Sequence, residues 1–420
     1  MDDCPQASSR RYRGGILALR DRKKETLTIK ERKMWEFYLP TRIIFGRGSL
    51  DRLGIEVKSL GEPILLVTGK KALRESGILD RVSRILNKEK ITSVLYDQVS
   101  PEPDTEVVDR GVIFARQNRC KVVVGIGGGS AIDVAKAIAG LGFEESFASI
   151  AEYLEGKGTK RINSYGLPFI AVPTTAGTGA EVARNAVIIN RNTRSKRSFR
   201  SNYLFARIAI IDPTLTVDLP QEITASTGID TLTHLIEGYV SRKANLLTDI
   251  LAIKGISLVG ESLISAYNNG SDLEAREKMC LASLLGGVVL TNSGLGIAHG
   301  VSPFLGALHG IPHGVANGIL LPRAIEFNLS SSIQKFKSVA SALGEKIEGL
   351  TEKEAARKTL SAVERIVKEL GIPQSLGEFG VKSEDLSELA KKSLTSNSTR
   401  GNPREVSYED LLLFLNKIME

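Results

Sequence analysis

Residues 121–133 read KVVVGIGGGSAID, in which an apolar run leads through a glycine-rich turn into a helical pattern. A short β-branched run that ends in glycine predicts a buried strand of a parallel sheet, followed here by a helix. Glycines leave the backbone N–H groups at such a helix start open to an anion. The stretch therefore predicts a phosphate-binding turn. A tight turn without a ligand is the alternative, because the third glycine of the dinucleotide fingerprint is missing.

The surrounding sequence extends this unit into an α/β domain with a parallel sheet flanked by helices. Segments with helical spacing of apolar residues separate the apolar runs, as expected when helices cover a sheet. The predicted strands are residues 63–69, 92–97, 121–129, 167–175 and 207–212. After Pro213 the strand signal ends and long helical patterns follow, with the capping pair Thr351 and Glu354 as one start signal. We therefore expect an all-helical second domain.

We expect three regions along the chain: a basic extension over 1–33, a dinucleotide-binding domain over 34–217 and a helical catalytic domain over 218–420. The extension holds ten Lys and Arg against five Asp and Glu, which leaves only +3 of the net charge of +8 for the remainder. No basic helix is interleaved with aromatic residues, so a nucleic-acid partner is not expected. Ordered-looking alternation begins at Met34, which is a candidate natural start. The three cysteines form no CxxC pair, and with no secretory apolar region in the extension they fit a reducing cytoplasm.

An uncharged window covers residues 279–322, although a quarter of the chain is charged. Polar residues, Pro303 and repeated glycines break this window, so we expect buried helices within a domain and no membrane span. Its segment 296–318, GIAHGVSPFLGALHGIPHGVANG, contains three of the four histidines. The window therefore predicts a dry pocket that contains imidazoles.

A second glycine-rich loop, VPTTAGTGAE at 172–181, follows the predicted strand over 167–175. Its threonines offer hydroxyl donors and its glycines allow close backbone approach. Ligands of open α/β sheets lie at the carboxyl ends of the strands. We therefore expect both loops to face one nucleotide.

The helical pattern GIDTLTHLIEGYV places Asp230 and His234 four residues apart, on one face of a helix. Alone, such a pair is often an ordinary hydrogen bond or a helix cap. Together with His299 and His313 it offers one carboxylate and three imidazoles, which suit a divalent cation with a position open to substrate. A cation bound there would ease the loss of a proton from an alcohol. For His309, a lining role, a proton relay and ligation all stay open.

At this point the sequence resembles the iron-containing alcohol dehydrogenase family over about residues 34–420. The resemblance rests on motifs in a specific order: GGGSAID, PTTAGTGAE, the Asp230 and His234 pair, His299 and His313 fourteen apart, PHGVANGILLP and NPREVSYEDL. It implies a dinucleotide-binding domain, a helical domain, a catalytic metal between them and a homodimer. It also implies cofactor contacts from Gly127, Gly128, Gly129, Ser130, Asp133, Thr174, Thr175, Thr178, Lys196 and Leu215.

Three departures from the family pattern bear on mechanism. The family commonly has HxxxHPLG, whose second histidine relays protons, whereas this chain has HGVSPFLG with Pro303 at that place. His309 acting through water, or direct exchange with solvent, could replace the relay. Ala180 replaces the usual serine of GTGSE, a mild change. After the first strand, NAD-favouring members often carry an acid where this chain has Gly69 and Lys70, so we expect NADP(H) to be preferred over NAD(H).

The resulting hypothesis is a metal-dependent alcohol dehydrogenase or aldehyde reductase for a small substrate. Fe²⁺ is the expected metal and Zn²⁺ the second choice. The alternative is an enzyme similar to dehydroquinate synthase or acting on a polyol phosphate, which needs cations to hold a substrate phosphate. The window over 279–322 supplies none. A noncatalytic metal- or nucleotide-binding protein is the third hypothesis.

Overall fold

Six parallel strands form the central sheet of the protein, whose computed structural model describes residues 34–156, 158–193 and 195–419. The strands are β1 (Arg42–Phe45), β2 (Ile64–Gly69), β3 (Ser93–Val99), β4 (Val122–Gly127), β5 (Phe169–Pro173), β6 (Asn185–Asn190), β7 (Ser195–Arg200) and β8 (Ile208–Ile211). The sheet has the order β1-β8-β5-β4-β2-β3, and β6 and β7 form a separate antiparallel hairpin. The five predicted strands of the sheet are therefore confirmed.

Helices cover both faces of this sheet, because successive side chains of a strand point to opposite faces. The helices of this part are α1 (Leu53–Leu60), α2 (Ala72–Glu75), α3 (Ile78–Lys88), α4 (Thr105–Gln117) and α5 (Gly129–Leu141). In β4, Val122 and Val124 pack with residues of α1 and α3. Val123 packs instead with α4 and α5. Every residue of β4 is buried, as the uninterrupted apolar run predicts.

The short strand β1 and the β6–β7 hairpin were not predicted. Strand β1 lies at the edge of the sheet, and none of its four residues is buried. In β7 the sequence SKRSFR carries three cations, which mask the apolar alternation. Only Phe199 of this strand is buried. Strands β1 and β7 were missed because they contribute few side chains to the core.

Ten helices form the rest of the described chain. They are α6 (Gln221–Val240), α7 (Leu246–Asn268), α8 (Leu273–Ser293), α9 (Ile297–His309), α10 (His313–Asn328), α11 (Ile333–Ala342), α12 (Glu352–Glu369), α13 (Leu386–Leu394), α14 (Asn397–Gly401) and α15 (Tyr408–Asn416). Helix α6 is buried on nearly all sides and lies against α7, α8 and α10. Thr351 and Glu354 form the predicted capping box of α12. The architecture agrees with the predicted α/β part followed by helices.

The change from strands to helices spans the predicted domain boundary. Strand β8 ends at Ile211 and the first long helix begins at Gln221. Residues 37–420 form one compact unit, so the division at residue 217 stays a prediction. The basic extension over 1–33 lies outside the described residues.

Among the described residues, one helix and one bent helix pair are long and apolar enough to cross a membrane by length and composition alone. Helix α7 has an apolar window of which 44% is buried inside the fold. Helices α8 and α9 are the pair, and they are bent by 103° at a short break. Gly294 in this break has a φ of 67°, which favours glycine. Core helices of globular proteins meet the same criteria, so these features are weak support for a membrane role.

Candidate metal centre and cofactor cleft

A cavity of about 810 Å³ lies where the sheet and the helices meet. The α/β part contributes Gly129, Ser130 and Thr178 to its wall. The helices contribute the histidines and Asp230 described below. The cavity is therefore lined both by the predicted nucleotide loops and by the predicted metal ligands.

The first glycine-rich loop runs from β4 into α5. Gly127 has a φ of 146°, and a Cβ there would lie 2.8 Å from the Ala131 side chain, so only glycine fits this turn. Gly128 precedes α5 without a side-chain cap hydrogen bond. The open N–H groups at the start of α5 can therefore bind a phosphate.

The second loop packs against the first, and Thr174 N donates a hydrogen bond to the Gly127 carbonyl at 2.9 Å. A Cβ on Gly129 would lie 2.9 Å from Thr178 Oγ1, and one on Gly128 would lie 3.5 Å from Thr175 Oγ1. Thr174 is 7% exposed, and it is not among the described residues that line the cavity. The loops are thus adjacent, as predicted, with Thr178 as the threonine that faces the cavity.

Asp133 and Lys196 both line the cavity. Asp133 Oδ2 accepts a hydrogen bond from Val187 N at 2.9 Å, which ties α5 to β6. Below it, Lys136 is 1% exposed and donates from Nζ to the carbonyls of Ala180 and Asn185, at 2.7 Å each. Burial lowers the pKa of the Lys136 ammonium. This lysine connects the first loop's helix to the second loop and to the hairpin.

Seven of the twelve predicted cofactor residues are not part of this cavity wall: Gly69, Lys70, Gly127, Gly128, Thr174, Thr175 and Leu215. Gly69 is the last residue of β2 and Lys70 follows it. Since the end of β2 lies beside the end of β4, both residues are at the same sheet edge as the loops. Leu215 is 5% exposed and packs in the core cluster beneath the sheet. Their cofactor contacts stay predictions.

The predicted metal ligands converge on one point from three helices. Asp230 and His234 lie on α6, His299 in the first turn of α9, and His313 at the start of α10. His299 Nε2 lies 3.4 Å from Asp230 Oδ1, and His313 Nε2 lies 3.7 Å from the same oxygen. Ligands about 2.1 Å from a tetrahedral cation are separated by roughly 3.4 Å, so this spacing fits one ion.

His234 adjoins these three residues. Its ring stacks on the ring of His299 with centroids 4.4 Å apart. Its buried Nδ1 has no hydrogen-bond partner among the described residues and lies 4.0 Å from Asp230 Oδ2. An orphaned buried nitrogen beside a carboxylate fits a site that a cation completes. All four residues could hold a divalent metal.

Glu237 was not predicted, although it lies on the same face of α6 as Asp230 and His234. Its carboxylate accepts hydrogen bonds from the backbone N–H groups of Gly296, Ala298 and His299, at 3.0, 2.7 and 3.2 Å. It also lies 2.8 Å from His299 Nδ1. A carboxylate on the outer nitrogen fixes the tautomer of an imidazole and leaves the other nitrogen free for a metal. Its spacing of seven residues from Asp230 was the signal that could have found it.

Asn317 is the second residue that the sequence did not predict. It lies one helical turn after His313 and is fully buried. Its Nδ2 lies 2.6 Å from Asp230 Oδ1, 3.0 Å from His299 Nε2 and 3.3 Å from His313 Nε2. Asn317 therefore contacts three candidate ligands at once and holds Asp230 in place.

The protonation states of the cluster follow from burial and charge. Burial lowers the pKa of His234 to about 4 and that of His313 to about 3, so both imidazoles are neutral near pH 7. Burial also opposes a charge on His299, but hydrogen bonds to Asp230 and Glu237 outweigh it and raise the pKa of His299 to about 9. Burial acts against the Asp230 carboxylate too, yet the facing histidines hold the pKa of Asp230 far below its usual range. Near pH 7 the cluster therefore offers a carboxylate and two neutral imidazoles, and a bound cation would have to displace one proton from His299.

Comparisons with known proteins match both parts of the chain. The sequence-family model for iron-containing alcohol dehydrogenase matches residues 40–213. The sequence-family model for the C-terminal part of the Fe-containing alcohol dehydrogenase family matches residues 224–419. The chain belongs to the iron-containing alcohol dehydrogenase family. It is an oxidoreductase that acts on CH–OH groups with a nicotinamide cofactor and a divalent metal, as members of this family do.

Individual relatives of this chain are also named as oxidoreductases that act on alcohols. An NAD-dependent methanol dehydrogenase from Bacillus methanolicus is 34% identical over 90% of this chain and 98% of its own. A 1,3-propanediol dehydrogenase from Klebsiella pneumoniae is 35% identical over 90% and 97%. A crystal structure of 1,3-propanediol oxidoreductase, 35% identical, superposes with a TM-score of 0.87 and covers 92% of this chain and all of that one. A lyase similar to dehydroquinate synthase is not favoured by these matches.

The departure from the family at Pro303 changes the wall of the cavity. Pro303 lines it beside Phe304, where the family pattern has an imidazole. His309 is not among the described lining residues, and its Nε2 lies 3.9 Å from Asp385 Oδ2. This position gives no support to the relay or ligand roles considered for His309.

Proposed function

We propose that this enzyme interconverts small aldehydes and alcohols with NADP(H), and that Asp230, His234, His299 and His313 hold the divalent cation. One observation carries the proposal: these four side chains and the glycine-rich start of α5 line one cavity. The family favours Fe²⁺. One carboxylate and three imidazoles also suit Zn²⁺, which is the second candidate.

When bound, the nicotinamide cofactor would accept or donate the hydride that the carbinol carbon of the substrate loses or gains. When bound, the cation polarises the substrate oxygen and stabilises negative charge on it. Glu237 orients His299 by holding a proton at Nδ1, so that Nε2 faces Asp230. His299 and His313 lie in the uncharged window over 279–322, and electrostatic interactions are stronger where few charges and little water surround them.

The cofactor is held by the α/β side of the cavity. The start of α5 binds the pyrophosphate, with Ser130 and Thr178 as hydroxyl donors on either side. The remaining predicted contacts, Asp133 and Lys196, line the same wall. This arrangement supports a cofactor orientation in which the nicotinamide end would point toward the histidines, as hydride transfer requires.

The substrate hydroxyl proton exchanges directly with water in the cavity. The alternative route, through His309, is not supported, because His309 lies against Asp385. The pH–rate profile of His309→Asn tests this route. A profile equal to that of the wild type agrees with direct exchange, whereas a lost ionisation assigns the relay to His309.

The preference for NADP(H) is supported by the residues at the end of β2 and just after it. Gly69 offers no carboxylate to the adenosine ribose, and the exposed Lys70 and Lys71 favour a 2′-phosphate. Asp97, on the adjacent β3, already pairs with Arg74 at 2.7 Å. A higher kcat/KM with NADPH than with NADH is the expected result. Homodimerisation and a cytoplasmic location stay predictions, which light scattering and fractionation would test.

The central experiment removes the metal. A chelator strips the protein, Fe²⁺ without oxygen or Zn²⁺ is restored, and nicotinamide absorbance is followed with short alcohols and aldehydes. Activity should vanish and return with the cation. An equal turnover rate in the stripped and the metal-restored protein would contradict the proposed role of the four side chains.

A further inference from the structure

Two of the four cations in the cavity wall are already neutralised. Lys196 Nζ lies 2.6 Å from a carboxylate oxygen of Glu102. Arg200 Nε lies 2.9 Å from a carboxylate oxygen of Glu155. Each of these two cations thus has a carboxylate partner that balances its charge. The other two cations, Arg197 and Arg400, have no such carboxylate partner among the described residues.

Arg197 is half-buried on β7 and faces the cavity. No carboxylate oxygen of the described residues lies within 4.0 Å of its guanidinium, which stands 6.0 Å from the ring centroid of Phe304. Its Nε is buried and has no hydrogen-bond partner among the described residues. A buried charged donor without a partner is costly, so the position calls for an acceptor.

Arg400 approaches the same cavity from α14. It is exposed, and the hydrogen bond of its guanidinium is a long one of 3.4 Å to Asn397 Oδ1. Its neighbour Thr399 packs so tightly on α9 that a Cβ on Gly300 would collide with Thr399 Oγ1. Arg400 therefore projects from the segment that rests on the helical turn of His299.

Both arginines border helix α9, which carries His299 in its first turn and Phe304 in its second. Leu290, Leu295 and Pro303 add apolar surface to the same cavity. The cavity thus combines a candidate metal centre, an apolar wall that suits a carbon chain and two guanidinium groups without a carboxylate partner. Guanidinium groups bind carboxylate, sulfonate and phosphate oxygens with charge-assisted hydrogen bonds.

We propose that Arg197 and Arg400 bind an anionic group at the far end of the substrate, so that the preferred substrates are short aldehydes and alcohols carrying a carboxylate or sulfonate. This inference rests on the proposed function. The aldehyde carbon accepts hydride from the reduced nicotinamide and its oxygen gains a proton from water. The anionic group is unchanged and serves only to bind and orient the chain.

The test compares two aldehydes of similar shape and different charge, 4-oxobutanoate and its methyl ester, with the metal-loaded enzyme. We expect kcat/KM to be at least about tenfold higher for the anion, since a pocket built for a polar group discriminates by that factor or more. Arg197→Met and Arg400→Met should each lower this ratio by about tenfold, mainly through KM. Arg207→Met, which removes an exposed arginine outside the cavity wall, is the control and should leave the ratio unchanged.

The outcomes separate this inference from the proposed function. The anion site is overturned, while the dehydrogenase activity stands, by either of two results. One is an equal kcat/KM for both aldehydes; the other is a ratio of the two kcat/KM values that is the same in the wild type and in both arginine variants. Loss of turnover with every aldehyde in the wild type instead overturns the proposed function. The dissociation constant of NADPH is measured in each variant. If it rises while the ratio holds, the arginines bind the cofactor phosphate and the inference is wrong.

Discussion

Glu237 and His299 are joined by a hydrogen bond of 2.8 Å between Oε2 and Nδ1, across 62 residues of sequence. The same carboxylate accepts the backbone N–H groups that open helix α9. One side chain on α6 thereby fixes both the start of the neighbouring helix and the direction of its imidazole. The candidate metal centre depends on this buried contact.

The exchange Glu237→Gln should weaken metal affinity by about 10- to 100-fold, as loss of such partners does in other metal sites. An amide fails to accept all of these hydrogen bonds and does not favour the same imidazole tautomer. Competition against a chromogenic chelator measures the change. Glu222→Gln, exposed in the first turn of the same helix, is the control. Equal affinities for both variants would rule out the orienting role.

Asn317→Leu should lower metal affinity by about tenfold, because the hydrogen bond to Asp230 is lost from a fully buried site. Asn292→Leu, a partly exposed position on α8, is the matched control. Titration of the stripped proteins with Zn²⁺ gives both affinities. Circular dichroism and NADPH binding establish that the fold is kept. An unchanged affinity in Asn317→Leu would remove Asn317 from the site.

Metal binding at pH 7 should release about one proton. His299 has a pKa raised to about 9 by Asp230 and Glu237 despite its burial, so it is protonated in the metal-free protein at pH 7 and must lose that proton to ligate. Affinity should therefore rise about tenfold per pH unit up to about pH 9 and then level off. His234 and His313, with pKa values lowered to about 4 and 3, add nothing in this range.

Calorimetry in buffers of different ionisation enthalpy counts this proton. The control is the same titration above pH 9, where His299 is neutral and the count should fall toward zero. No buffer dependence at pH 7 would mean that His299 is neutral without metal or does not ligate.

Gly69→Asp should shift cofactor preference from NADPH toward NADH by at least about tenfold, because a carboxylate repels the 2′-phosphate and accepts the ribose hydroxyl. The substitution fits sterically, since a Cβ at Gly69 would meet only the Val99 carbonyl, at 3.8 Å. The ratio of kcat/KM for the two cofactors measures the shift. Gly69→Ser, equally small and uncharged, is the control. A shift of the same size in both variants would mean that charge is not the cause.

Prediction from sequence succeeded where the information is local. The buried strand that ends at Gly127 and the pair Asp230 and His234 are both defined by spacing within one element. Asn317 and Glu237 were missed, because their roles depend on which helices meet; the spacing of Glu237 from Asp230 places it on the same helix face but does not show that it contacts His299. The free charge of Arg197 is of the same kind, since only the fold determines which cations of the hairpin find carboxylates.

Lys136 lies beneath the two glycine-rich loops, with its ammonium held by the carbonyls of Ala180 and Asn185 and 1% of its surface exposed. An amine enclosed in this way does not react with acylating reagents while the loops stay together. The rate at which Lys136 is chemically labelled, followed by mass spectrometry, therefore measures how often the nucleotide site opens.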